Sequence, residues 1–144
     1  MNTLSKFGYP ESLIMEYNNW FLLFRPDQVT IGSLILITKN DEHRLSEISK
    51  NGFEELRDIV IWMEDILKST FEYDRINYLM LMMVDPEVHY HIIPRYSKEV
   101  IFQGVTFKDK GWPSIPALGD INKIDNKIKE KLVSLFREKF ANIR

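Results

Sequence analysis

The stretch Glu87-Val88-His89-Tyr90-His91-Ile92 alternates ionisable or imidazole side chains with apolar and aromatic ones. A β-strand sends successive side chains to opposite faces, so this spacing places Glu87, His89 and His91 on one face and Val88, Tyr90 and Ile92 on the other. Three such groups on one strand face are costly to bury, because each needs a partner. Neutral imidazole also serves as nucleophile or proton shuttle near neutral pH. Three readings stay open on these residues alone. In a phosphoryl-directed site, His89 attacks phosphorus while His91 binds or protonates phosphate oxygens. In a metal site, Glu87, His89 and His91 supply ligands suited to iron or zinc. In a purely structural reading, two hydrogen-bonded histidines sit at a sheet edge.

Other residues carry weaker chemistry. Arg95 offers a bidentate fork for phosphate, or it pairs with a surface carboxylate next to Pro94. His43 lies in a charged loop and is expected to be solvated. Met80, Met82 and Met83 read as core filler, and Trp20 and Trp112 as packing residues, with a lid the second reading for Trp112 in its Gly/Pro loop.

The elements that position these residues follow from periodicity. Leu13 to Glu16 and Trp20 to Arg25 flank Tyr17-Asn18-Asn19, a hairpin signature. Ser33 to Thr38 is a third strand. Phe53, Leu56, Val60, Met63 and Leu67 recur at helical spacing, with Asn51 and Glu54 as the expected cap. Ile76 to Val84 reads as a buried strand, Asp85-Pro86 as a corner, and Val88 to Ile93 as the next strand. Phe102 to Asp120 is loop-like, and Ile121, Ile124, Ile128, Leu132 and Leu135 mark a closing helix. Segregated strands with short turns favour an α+β fold with an antiparallel sheet of about five strands.

At 144 residues the chain is the size of one domain, able to bury a core without disulfide or metal staples. It contains no cysteine, which removes thiolate nucleophiles, disulfides and cysteine-based zinc sites. A net charge of −2 argues against general nucleic-acid binding. The Lys/Arg-rich segment from Lys123 to Arg144 is interleaved with Asp125, Glu130 and Glu138, as on a solvated helix face. Met1 to Pro10 has no signal-peptide pattern, and no apolar run approaches the ~20 residues of a membrane span. A cytoplasmic location without membrane association is therefore expected.

His-Tyr-His-Ile-Ile-Pro-Arg, from His89 to Arg95, resembles the signature of the histidine triad (HIT) superfamily, in which histidines alternate with apolar residues, often before Pro-Arg. Trp20 to Thr38 resembles that family's strand pair before its main helix, and Asp41 to Leu45 the segment leading into the helix. The resemblance covers Trp20 to Arg95. It implies a single HIT-like domain over residues 1–144, with a core of about 11–106 and a C-terminal loop and helix over 107–144. It also implies that His89 is the nucleophile and His91 the last triad histidine. His89 would attack the α-phosphorus of a nucleotide, such as a phosphoramidate or dinucleoside polyphosphate, to form a nucleotidyl-histidine intermediate. Glu87, Arg95, Arg25 and Ser33 are the expected substrate-contacting residues. No metal or other cofactor is implied, and a homodimer is.

The chain departs from the family pattern in two places. Glu87 stands where the first histidine is expected. At ~7 Å along the strand, a carboxylate favours the imidazolium form of His89 by roughly 0.6 to 2.4 kcal/mol, enough to slow attack by up to about fifty-fold. The connection Val84-Asp85-Pro86 also lacks the longer polar loop that holds phosphates, and Arg25 stands near where many relatives carry Asn. These departures define the alternative, a catalytically weak or inactive HIT-fold module that binds a nucleotide or a partner.

Overall fold

The structure, a computed structural model, describes residues 2–143. In chain order the elements are α1 (Asn2–Lys6), β1 (Leu13–Glu16), β2 (Trp20–Phe24), β3 (Leu34–Thr38), a 3-10 turn (Leu45–Glu47), α2 (Lys50–Phe71), β4 (Arg75–Leu79), β5 (His89–Arg95), β6 (Val100–Phe102), β7 (Val105–Phe107) and α3 (Asn126–Ala141). Strands β1 to β5 form one sheet in the order β1-β2-β3-β5-β4, every neighbouring pair antiparallel. The expected α+β architecture with five antiparallel strands is therefore what the chain adopts.

Strand alternation divides the sheet into two different faces. On one, Trp20, Leu22, Phe24, Leu34, Leu36 and Ile92 pack against Ile59, Met63, Leu67 and Phe71 of α2 and Leu132, Phe136 and Phe140 of α3. The C-terminal helix thus belongs to the main core. On the other face, Leu23, Ile35 and Ile37 form a smaller cluster with Leu4 of the N-terminal helix, flanked by Phe7, Tyr9, Leu13 and Phe21. Among the aliphatic residues that separate the strands from α2, Gly32 has a specific role. It adopts a left-handed φ of 87°, and a Cβ there would lie 2.9 Å from Leu67 Cδ2, so the turn before β3 meets α2 only with glycine.

Several local expectations are corrected. The cap of α2 is Ser49, whose side chain accepts from the Gly52 amide, whereas Asn51 lies inside the helix. Of the expected stripe, Met63 and Leu67 are buried and Leu56 and Val60 half-buried, but Phe53 is 41% exposed, and Ile59, Ile66 and Phe71 complete the buried face. Strand β4 ends at Leu79 instead of running to Val84, and Met82 beyond it is left-handed at a φ of 54°. Met80 and Met82 pack against the core, but Met83 is 85% exposed and is no core filler. The segment expected to be loop contains the β6–β7 hairpin, turned at Gln103 and Gly104, both with positive φ. Ile121 and Ile124 precede α3, which starts after the Asp125 cap. The helix α1 has no counterpart among the expected elements. None of the described helices is long and apolar enough to cross a membrane.

Candidate active site

Strand β5 carries both histidines on the face opposite α2. His89 lies beside Ile37 and His91 beside Ile35 of β3, while Leu79 of β4 pairs with His91 from the other side. His91 is thereby held between aliphatic residues of two neighbouring strands and His89 beside one, and both are nearly inaccessible, at 8% and 3% exposure. The rings meet edge to face with centroids 5.1 Å apart.

Hydrogen bonds fix complementary tautomers. The His89 Nδ1 atom lies 2.7 Å from the Glu87 backbone carbonyl. A carbonyl only accepts, so Nδ1 carries a proton, and in the neutral tautomer Nε2 is the bare lone pair. At His91 the polarity is reversed. Arg25 donates its Nε–H to His91 Nδ1 at 3.4 Å. A guanidinium only donates, so Nδ1 is the acceptor and Nε2 carries the hydrogen. Burial, reinforced by the Arg25 charge and the neighbouring His89, pushes the His91 pKa down to about 4, leaving the ring neutral at physiological pH. The pair therefore offers one nucleophilic nitrogen and one N–H donor.

The sharp turn between β2 and β3 sets the position of Arg25. Gln28, fully buried, donates from its amide to the carbonyls of Arg25 and Ser33, and accepts from the amides of Gly32 and Ser33. Arg25 Nη1 also donates to the Asp27 carbonyl at 2.5 Å. Burial lowers the Arg25 pKa, opposed by Asp27. Ser33 is spent inside this turn. Its hydroxyl, expected to contact substrate, donates to the Thr30 carbonyl at 2.7 Å and accepts from the Thr30 amide at 3.1 Å.

Glu87 is 6% exposed and its carboxylate accepts from the Thr3 hydroxyl of α1. Glu87 touches His89 through its main-chain carbonyl, while the carboxylate is committed to the N-terminal helix instead of a substrate. Lys6 of the same helix pairs with Asp85 at 2.9 Å in the connection before β5. Phe7 follows, with its ring centroid 6.2 Å from that of His89 and 5.8 Å from that of His91. Thr3, Lys6 and Phe7 were invisible to sequence reasoning, since one helical turn carries too little periodicity to register. The spacing of Leu4 and Phe7 was the one available signal.

Arg95 continues the same strand face but is not free for phosphate. Its Nε and Nη2 donate to the two carboxylate oxygens of Asp109 at 2.7 and 3.1 Å, and Nη1 donates to Asn77 Oδ1 at 2.8 Å. Asp109 also accepts from the Tyr96 amide. The bidentate fork was legible, but its partner is a buried carboxylate from the loop after β7, neither a phosphate nor a surface group. Arg95, Asn77 and Leu79 line a groove of about 720 Å³ closed on one side by Trp112, Pro113 and Pro116. His43 pairs with Asp41 at 3.2 Å on the surface. No group of three His, Cys, Asp or Glu residues among those described is arranged to hold a metal ion.

No protein-family model matches this chain, and no curated protein sequence does either. Solved structures do. A histidine triad protein from Marinobacter aquaeolei VT8 matches with a TM-score of 0.76 and 16% identity, covering 100% of this chain and 96% of its own. One from Bradyrhizobium japonicum matches with a TM-score of 0.74 and 19% identity over 96% of this chain and 95% of its own. A hypothetical histidine triad nucleotide-binding protein from Sulfolobus tokodaii strain 7 matches with a TM-score of 0.66 and 18% identity, covering 91% and 84%. The chain has the fold of the histidine triad proteins.

Proposed function

We propose that this chain is a HIT-type nucleotide hydrolase or nucleotidyl transferase acting on an α-phosphorus through His89. The observation that carries the reading is the tautomer pair, with His89 Nε2 bare because Nδ1 donates to the Glu87 carbonyl, and His91 Nε2–H available because Nδ1 accepts from Arg25. His89 Nε2 attacks phosphorus, and the bond to the leaving group breaks with its electron pair departing on that group. A nucleotidyl-imidazolium results, and its ring positive charge faces the Glu87 carbonyl through Nδ1–H. Water then attacks the same phosphorus, loses a proton to solvent, and the P–N bond breaks, returning the pair to Nε2 and releasing a nucleoside monophosphate. This is covalent catalysis in two steps. His91, neutral, steadies a non-bridging oxygen as a hydrogen-bond donor.

A neutral His91 is a poor acid for the leaving group. The arrangement therefore suits a leaving group that departs as a stable anion, as from a dinucleoside polyphosphate, better than an amine from a phosphoramidate.

The test is turnover of a dinucleoside polyphosphate by the wild type and by His89→Ala. Loss of turnover in the variant is expected, and equal residual rates remove His89 from the mechanism. The burial of both imidazoles favours a second reading, a module that binds a nucleotide without turning it over. Calorimetric titration with purine mononucleotides separates the two, because binding without turnover supports the second and robust turnover ends it. For either reading we propose a cytoplasmic homodimer, with β4 an edge strand of the sheet and Met83 and Val84 exposed beyond it. Light scattering at assay concentration tests the dimer.

A further inference from the structure

We propose that α1 is a lid closed over His89 and His91, and that Glu87, standing where the first triad histidine is expected, is its latch. The inference rests on the nucleophile reading for its consequence in catalysis, but not for its geometry.

The closure is physical. His89 is 3% exposed, with the Phe7 ring beside it and Thr3 of the helix before Phe7 bonded to Glu87. A phosphorus atom has to approach Nε2 in line, so no nucleotide reaches His89 while Phe7 stays beside both rings. The latches are the Thr3 hydroxyl on the Glu87 carboxylate and Lys6 on Asp85. Glu87 and Asp85 flank Pro86 in the short connection that lacks the longer polar loop of the family pattern. The two anions that would repel a phosphate are thus both occupied by α1 when it is closed.

Beyond the latches, α1 is held by the Tyr9 amide on the Leu4 carbonyl at 3.0 Å and by little buried apolar surface. A five-residue helix has no stability of its own, and its one buried apolar side chain is Leu4, in the minor cluster with Leu23, Ile35 and Ile37. The main core contains nothing from it. The chain just beyond is fixed much more firmly. Arg137 of α3 donates to the carbonyls of Pro10, Glu11 and Leu13, and Ser12 bonds back to the carbonyls of Phe7 and Gly8. Between the fixed and lightly held parts stands Gly8, at a φ of 85°. Segments with few buried apolar contacts and exposed ties open first, which makes Gly8 the natural pivot.

Diethyl pyrocarbonate, which acylates accessible unprotonated imidazole, reads the lid without requiring turnover. The chain has three histidines, and His43, with half its side chain exposed, is an internal reference. In the full-length wild type, mass-spectrometric mapping is expected to show His89 modified at least tenfold more slowly than His43. In Thr3→Val/Lys6→Glu, losing one hydrogen bond and one exposed ion pair is expected to raise the His89 rate relative to His43 by about tenfold. A chain lacking residues 2–6 is expected to raise it further. Should that deletion fail to fold by near-ultraviolet circular dichroism, the point variant decides. Wild-type His89 reacting as fast as His43, or a His89 rate unchanged in the point variant, overturns the lid. A protein with no turnover still gives this answer, so failure of the catalytic reading and failure of the lid are separate results.

Discussion

Arg25 donates its Nε–H to Nδ1 of His91 across 3.4 Å, so a permanent cation is hydrogen-bonded to the one ring atom that would have to accept a proton for His91 to become charged. Burial is the larger reason that His91 titrates only near pH 4, and the Arg25 charge adds to it. In the unfolded chain the same ring takes up its proton near 6.5. Between those values the unfolded state binds more protons, so stability rises with pH across the window and is lost as pH falls from 6.5 towards 4. Urea denaturation at pH 7 and pH 4.5 should differ by about 2 kcal/mol from this group, and His91→Asn should remove that part of the difference. An unchanged slope in the variant would show that His91 does not titrate in this way.

Under the proposed hydrolase reading, the same neutrality bears on the rate. His91 is placed as a hydrogen-bond donor, and removing one such donor to developing phosphate charge costs about 10²-fold in kcat. His91→Ala is therefore expected to lose about 10²-fold in kcat on a dinucleoside polyphosphate. On the wild type, a phosphoramidate with a basic amine leaving group is expected to turn over at least tenfold more slowly than the polyphosphate at pH 7. A faster phosphoramidate reaction would require an acid that His91 does not provide.

Asp109 fixes the far end of β5 through Arg95. Its side chain is fully buried, and that of Arg95 is 5% exposed. Removing one partner of such a pair leaves a charge uncompensated in the interior and costs about 3–5 kcal/mol. Asp109→Ala should lower stability by that amount in chemical denaturation, and Asp109→Asn by less, since the amide oxygen still accepts from Arg95. A cost for Asp109→Ala below about 1 kcal/mol would mean that the pair behaves as a surface ion pair.

How much of this was legible depended on the range of the signal. Alternation along Glu87 to Ile92 put His89 and His91 on one face, because a strand's period is carried by the residues themselves. The β1–β2 hairpin and the amphipathic α2 were legible for the same reason. What escaped depends on contacts across the chain. Thr3 meets Glu87 across 84 positions, and Gln28 meets Asn122 across 94. No local pattern records either. Arg95 was read as a phosphate fork because its chemistry is the same whether its partner is a ligand or Asp109. Glu87 was expected to bear on His89 through its carboxylate, but that assumed a side chain standing straight off the strand, whereas the Thr3 hydroxyl holds the carboxylate at α1.

Metal content provides an independent check on the nucleophile. Glu87, His89 and His91 were one possible ligand set, yet their donor atoms are directed elsewhere. The Glu87 carboxylate accepts from Thr3, His89 Nδ1 is tied to a carbonyl, and His91 Nδ1 accepts from Arg25. Of the imidazole nitrogens only the two Nε2 atoms are left, and one of them carries the hydrogen. A third ligand would have to come from elsewhere, and the remaining histidine, His43, is bonded to Asp41 on the surface. Tight zinc or iron sites take three or four protein ligands, and a metal on His89 Nε2 would occupy the lone pair required for attack on phosphorus. The protein purified without chelator is expected to contain less than about 0.1 equivalent of zinc, iron or nickel by elemental analysis, an order-of-magnitude bound set by having at most two free imidazole donors. Near-stoichiometric metal, lost in His89→Ala, would reassign His89 from nucleophile to ligand. Metal retained in that variant would place a separate site outside the histidine pair and leave the nucleophile standing.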